Sequence, residues 1–317
     1  LERLEDRCVP STLYVTSPLD NGGQGTLRYE IAHAANGDTI EMSPTLTAPI
    51  VLSQGELLLK KNLTIEGQSS QPETISGNSS SRVFEVAAKA KVTLTYLNLI
   101  DGNGLANPTD TSTYAYSGGA ILNFGTLAVN NCTLSNNSAQ YGGGIFNEFG
   151  TVTVNSSTLS GNSAIIHIPN SFGVGGGIWS VGSLTVNKST LSGNSATREG
   201  GGIYNRGSLT VSSSTLSDNS AYQGGGIANQ YSYATATISG STLSGNHASY
   251  GGGGIYNSGT ATVSGCALTG NSAAVEGGAI YNGSGTSSAL TVLDSIFSNN
   301  SPDNFFGPYT DGGGNTF

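Results

Sequence analysis

The chain has 317 residues, 47 of them glycine, and sets 20 acidic residues against 11 basic ones for a formal net charge of −9 at pH 7. Eleven scattered cations supply no basic stripe for nucleic acid, and no run of about 20 apolar residues is present to cross a membrane as a helix. Abundant Gly, Ser, Thr and Asn argue against a helix-rich fold, while the apolar 36% recurs on a schedule foreign to a disordered chain.

Residues 1–17 read as an N-terminal arm in which Leu13, Tyr14 and Val15 are β-prone. Next, apolar residues at Leu27, Ile31, Ala34 and Ala35 have helical spacing, and Asn36-Gly37-Asp38 stops them. This predicts a short helix over 26–36. At the start of a solenoid such a helix is a cap, because the first coil would otherwise expose its core. Strand candidates follow at 39–42, 50–52, 57–59, 63–65, 83–86 and 92–94.

From about residue 118 one unit recurs. Its clearest copy runs Gly200-Gly201-Gly202-Ile203-Tyr204-Asn205, Ser208-Leu209-Thr210-Val211, Ser214-Thr215-Leu216-Ser217 and Asn219-Ser220-Ala221. The isoleucine falls at Ile121, Ile145, Ile178, Ile203, Ile227, Ile255 and Ile280, in steps of 24, 33, 25, 24, 28 and 25 residues. Three short bursts of period two, separated by turn residues, fill each unit. One such coil cannot bury its inner face alone, but stacked coils pair their strands in parallel and share a core. The fold expected is all-β: a single right-handed parallel β-helix over 18–300, about 24–25 residues per coil, with regular repeats from 118 to 300 and a tail or cap at 301–317.

Two asparagine rows fit this reading. Asn123, Asn147, Asn205, Asn229, Asn257 and Asn282 lie two residues after the isoleucine, with Ser180 breaking the row. Asn137, Asn162, Asn194, Asn219, Asn246, Asn271 and Asn300 form the second. Asparagine tolerates left-handed backbone at a corner, and stacked amides bond along the axis, so both rows read as structural ladders. Cys132 and Cys266 occupy a small slot filled elsewhere by Ser157, Ser189, Ser214 and Ser241. About five coils apart, roughly 24 Å at strand spacing, they are beyond disulfide reach and read as buried small residues. With Cys8 they make no disulfide framework.

The residue after each isoleucine points outward: Leu122, Phe146, Trp179, Tyr204, Ala228, Tyr256 and Tyr281. Phe146, Trp179, Tyr204, Tyr256 and Tyr281 therefore form a candidate contact stripe, suited to stacking among themselves, on a glycan or on another copy. Trp179, beside the insertion 165–174, is the foremost exposed-contact candidate. Two outward rows are polar: Thr153, Thr185, Thr210, Thr237, Thr262 and Thr291, and then Thr133, Thr158, Thr190, Thr215 and Thr242. Such arrays resemble ice-binding faces, although threonine also simply suits exposed strands.

Glycoside hydrolysis needs two carboxylates about 5–10 Å apart. Between 118 and 300 the acids are Glu148, Glu199, Asp218, Glu276 and Asp294, and the cations Lys188, Arg198 and Arg206. Their positions in the repeat differ, so no acid row forms. Arg198, Glu199 and Arg206 meet across a turn as a surface ion pair. His33 falls in the cap, His167 in the insertion and His247 in a serine slot, and none has a metal-spaced partner. No catalytic, cofactor-binding or metal site is expected, and no cofactor.

Three runs carry a family resemblance: 25–32 with 35–40 and 63–67; the Gly-Gly-x-Ile units; and the Leu-Ser-x-Asn-Ser-Ala units. Together they resemble bacterial right-handed β-helix repeat proteins and, more loosely, polymorphic outer-membrane adhesins. The opening Leu1-Glu2-Arg3-Leu4-Glu5-Asp6-Arg7-Cys8-Val9-Pro10 resembles the N-terminal motif of exported planctomycete proteins. The resemblance implies an exported protein of the cell surface or matrix and maps no catalytic motif. With the unpaired strand edges of a column, it gives the expected function: a non-enzymatic structural or adhesive protein. Its copies would associate end to end into filaments through Leu13, Tyr14 and Val15 at one end and Phe305 and Phe306 at the other. The alternatives are a polysaccharide-binding or polysaccharide-cleaving β-helix and an ice-binding solenoid. Partners are copies of itself and surface glycans, with neither nucleic acid nor a membrane span.

Overall fold

In the computed structural model, which describes residues 9–104, 114–166, 171–283 and 288–317, each repeat is one turn of a column. The turn beginning at Ile203 runs through strands Ile203–Asn205, Ser208–Ser212, Thr215–Ser217 and Ser220–Gln223. Equivalent strands of successive turns pair in parallel and in register, so Ile178, Ile203 and Ile227 are direct neighbours along the axis. The result is a right-handed parallel β-solenoid of about ten turns with one short helix among the described residues. Its strands lie in one sheet of twelve, two of ten and one of six.

The six-stranded sheet departs from the three-strand coil read from the sequence. It is seeded by the two-residue strand Ser138–Ala139 and its counterparts Ser163–Ala164 and Ser195–Ala196. Two residues are too few to display a period of two, and these segments read as turns. They extend because the alanines face inward: Ala139 and Ala164 are fully buried.

Three left-handed corners turn the chain in each repeat. The first is the leading glycine of Gly-Gly-x-Ile, as at Gly200 (φ +66°). The second is held by Asn131, Ser156, Lys188, Ser213, Gly240, Gly265 and Asp294. The third is held by Asn136, Gly161, Gly193, Asp218, Gly245, Gly270 and Asn299. The two asparagine rows therefore do not take the left-handed conformation expected of them. Asn123, Asn147, Asn205, Asn229, Asn257 and Asn282 each end an extended strand. Their amides do bond along the axis: Asn205 Nδ2 donates to Asn229 Oδ1 at 2.7 Å and Asn229 Nδ2 to Asn257 Oδ1 at 2.8 Å. Ser180 stays in the row, its Oγ accepting from Asn147 Nδ2 at 3.0 Å.

The interior is a stack of like residues. Ile121, Ile145, Ile178, Ile203, Ile227, Ile255 and Ile280 are fully buried, facing Val129, Val154, Val186 and Val211 from the twelve-stranded sheet. Cys132 and Cys266 are buried free thiols in the serine slot, as expected. The backbone N–H of Cys132, Ser157, Ser189, Ser214 and Cys266 donates to the serine hydroxyl of the next coil's slot, as Ser189 N–H to Ser214 Oγ at 3.1 Å; Cys8 lies outside the described residues.

At the first end, part of the expected arm belongs to the column. Thr12–Val15 pairs in register with Thr39–Met42, Val15 is fully buried and Leu13 packs against the core. The helix spans Leu27–His33, shorter than 26–36, with Thr26 Oγ1 accepting the Tyr29 N–H. Leu27 and Ile31 enter the main core and close that end. A clamp fixes the turn before the helix: Arg28 Nε and Nη2 hold both Asp20 carboxylate oxygens at 2.6 and 3.0 Å, and Asp20 Oδ2 accepts the Ser53 and Gln54 N–H groups. Burial opposes the Asp20 charge, but these donors more than offset it and hold its pKa below the ordinary carboxylate value.

At the other end, residues 301–317 lie on the last turn. Phe305–Phe306 pairs with Ile280–Tyr281, and Thr310–Asp311 with Thr291–Val292. Phe305 turns toward the core, 4.6 Å from the Phe297 ring and 4.4 Å from Tyr309. Asn315 Oδ1 takes the Ser295 N–H at 3.0 Å, replacing the serine hydroxyl of the preceding turns, and Asn304 Oδ1 takes the Asn300 amide at 2.9 Å.

Candidate ligand-binding cleft along the aromatic row

The outward row of one ten-stranded sheet is continuous in register: Leu122, Phe146, Trp179, Tyr204, Ala228, Tyr256, Tyr281 and Phe306. It faces away from the main core, yet its first half is not an exposed stripe. Leu122 and Phe146 are 1% exposed and Tyr204 is 5% exposed. The segment preceding each glycine corner covers them. Ser117, Tyr141, Val174, Glu199 and Gln223 are bridged in parallel along the axis and form a wall beside the row. Val174, Tyr204 and Ala228 make a small apolar cluster apart from the main core, with Tyr141 and Trp179 against it. Trp179, expected as an exposed contact, is half-buried: Phe146 meets its ring edge-on at 4.2 Å, and Tyr141 lies at 5.0 Å.

The second half is more open. Tyr256 and Tyr281 stack face to face at 4.7 Å, and Phe306 continues the stack at 4.8 Å. Phe306, read from the sequence as an end residue, thus belongs to the aromatic row. Burial pushes the Tyr281 hydroxyl up to about 12, with Tyr256 and Tyr250 adding to it.

Between the wall and the row, near Trp179, opens a cleft of about 470 Å³. Tyr141, Trp179, Tyr204 and Tyr231 supply aromatic surface, and the insertion contributes Ser171 and Phe172. Arg198 and Arg206 both line it. The Arg198 guanidinium sits 3.9 Å over the Phe172 ring and pairs with Glu199 at 3.2 Å. Arg206 sits 4.4 Å over the Tyr231 ring and reaches the Tyr233 hydroxyl at 3.4 Å. Trp179 Nε1 and Arg206 Nε are buried atoms without a hydrogen-bond partner among the described residues. Burial raises the Tyr204 hydroxyl pKa strongly, and the nearby Glu199 charge raises it further, so this phenol stays protonated. Burial likewise raises Glu148, against the pull of Tyr114 and Arg206.

The expected Arg198–Glu199 ion pair thus borders a cleft that also contains Arg206. Sequence reasoning did not find Tyr141, Phe172 and Tyr231: Tyr141 holds a repeated position four residues before the isoleucine, but Ser117, Val174, Glu199 and Gln223 fill that position elsewhere, so no residue type marks the row, while Phe172 lies in the insertion and Tyr231 in a turn. His167 lies outside the described residues, and His247 Nδ1 is 3.0 Å from Ser272 Oγ at the surface. Among the described residues no group of three or more His, Cys, Asp or Glu side chains stands where it could hold a metal ion, and no helix is long and apolar enough to cross a membrane.

The twelve-stranded sheet presents the other extended surface. Thr12, Thr39, Thr64, Thr93, Ala128, Thr153, Thr185, Thr210, Thr237, Thr262, Thr291 and Thr310 share one register line. The threonine row is therefore longer than the repeats alone revealed.

Three segments, 188–206, 240–258 and 265–283, match the Chlamydia polymorphic membrane protein repeat. Each covers the same three quarters of a turn: a second-row asparagine, the glycine corner, the core isoleucine and a tyrosine of the aromatic row. The chain is a β-helix repeat protein that resembles polymorphic outer-membrane adhesins. Curated proteins and solved structures give no match to the chain.

Proposed function

We propose that this β-helix repeat protein is a surface-displayed, adhesin-like column that attaches to other surfaces without catalysing a reaction. The observation that carries the reading is the placement of the three adhesin-like segments on the part of the turn that holds both the amide ladder and the aromatic row. The repeat therefore maintains a rigid shaft together with an outward-facing aromatic row that opens to the surface at Tyr256 and Tyr281. Display of the chain on a heterologous bacterium should raise attachment to host-cell or glycan-coated surfaces several-fold, and soluble chain should compete. Attachment equal to that given by an unrelated β-helix of similar length would overturn the reading, as would cleavage of a polysaccharide by the purified chain.

End-to-end association is a second reading, favoured by one relationship. Thr12–Val15 and Thr310–Asp311 are the outermost strands of the same twelve-stranded sheet. Head-to-tail stacking of two copies would continue that sheet in parallel, with Tyr14, 54% exposed, at the seam. Negative-stain images across a concentration range check it: filaments support association, and isolated rods at every concentration count against it.

A further inference from the structure

We infer that the cleft beside Trp179 binds a carboxylated sugar, its ring against the aromatic walls and its carboxylate at Arg206. The inference deepens the adhesin-like reading by naming a ligand class for one site. Four observations carry it. First, the chain has three cations between residues 118 and 317, and two of them, Arg198 and Arg206, line this one cleft. Second, Arg198 is paired with Glu199, whereas no ion pair reaches Arg206 among the described residues. Its guanidinium is held by the Tyr231 ring and the Tyr233 hydroxyl, which keep it charged, and with no carboxylate bonded to it that charge is available to an anionic ligand. Third, the orphaned donors Trp179 Nε1–H and Arg206 Nε–H call for acceptor oxygens, which a uronate-type sugar carries on both its carboxylate and its ring hydroxyls. Fourth, Tyr231, Trp179 and Tyr141 provide flat π surface of the kind that packs against the C–H face of a pyranose. A cleft of about 470 Å³ has room for one or two such rings.

Trp179 is the chain's single tryptophan, so its fluorescence reports on this cleft alone. The test titrates the full chain with an oligogalacturonate and, separately, with the neutral galactose oligomer of equal length. The acidic oligomer should quench or shift the emission saturably, and the neutral one should not at the same concentrations. Arg206→Met should weaken acidic binding about tenfold or more, the loss of one bond to a charged group, with melting unchanged. If that variant fails to fold, Arg206→Gln, which keeps a polar end beside the Tyr231 ring but no charge, replaces it with the same expectation. The inference is overturned by any of three results. These are no response to the acidic oligomer up to about 10 mM, far above a useful affinity, an equal response to both oligomers, or acidic binding that survives in the folded variant. Attachment through the threonine face or the open tyrosine stack would persist after any of these, so the adhesin-like reading is decided separately by the display assay.

Discussion

Asn194 and Asn219, 25 residues apart in the chain, are joined by two hydrogen bonds to one oxygen: Asn219 Oδ1 accepts the Asn194 Nδ2 amide at 2.9 Å and the Asn194 backbone N–H at 3.0 Å. Asn194 Nδ2 also donates to the Leu159 carbonyl of the turn before, at 3.0 Å. The same triad repeats from Asn137 to Asn300, so a line of buried amides spans seven turns with both donors and the acceptor of each internal amide used. A fully satisfied buried network fixes the register of every coil it crosses.

Replacing Asn219 by Leu leaves the Asn194 N–H and one Asn194 amide hydrogen without partners and takes one of its donors from the Leu191 carbonyl. At about 1–3 kcal/mol for each orphaned buried group, partly relieved by relaxation, the expected loss is about 3–5 kcal/mol. Chemical denaturation followed by far-ultraviolet circular dichroism measures it. A loss below about 1 kcal/mol would show that the ladder fills space rather than holds register.

Glycines at neighbouring positions should respond oppositely. A Cβ on Gly201 would fall 2.5 Å from the carbonyl oxygens of both Ser220 and Gly225, and backbone cannot yield there without separating two turns. Gly201→Ala should cost about 3 kcal/mol or more, at the upper end of overpacking. Gly193 is at φ +61°, a Cβ added to it would meet nothing within 4 Å, and equivalent corners carry Asn136 and Asn299. Gly193→Asn should stay within about 1 kcal/mol of the parent. Thermal melts of the two variants side by side check the contrast.

The Asp20–Arg28 clamp makes an acid-side prediction. Asp20 has its folded-state pKa lowered, so its contribution is fully present above the unfolded value of about 3.9 and is lost as pH falls through the folded value. Asp20→Asn should melt earlier than the parent at pH 7, and the gap should close as the pH is taken below about 4. A constant gap from pH 7 to about pH 2.5 would show that Asp20 is neutral in the folded chain, or that its charge is irrelevant.

The slot cysteines should be chemically silent. Burial pushes the Cys132 thiol up to about 11 and raises that of Cys266, and both are sealed from solvent. In a Cys8→Ser background at pH 8, a disulfide reagent should find no reactive thiol in the native chain and both of these thiols after denaturation. Native-state reaction within minutes would mean that the turns open locally at the serine slot.

Periodicity along the chain is enough to specify the solenoid. Stacked coils place chemically equivalent positions on top of one another, so each spatial row is also a period along the chain, and the core isoleucines, the slot cysteines, the amide ladders and the repeat-region threonine rows are all legible as spacings. Even the outward direction of Phe146, Trp179, Tyr204, Tyr256 and Tyr281 follows from alternation along a strand. What lies over that row is set only by the folded packing. Tyr141 and Val174 reach it from a repeated position whose residue type changes from turn to turn, Phe172 reaches it from the insertion, and the fourth strand of six turns extends only because its alanine finds a buried seat. The cleft that joins Arg206, Arg198 and Trp179 is likewise a product of those changes from turn to turn. A period records what every turn must share to stack; a binding site is made where particular turns differ, and those differences carry no phase.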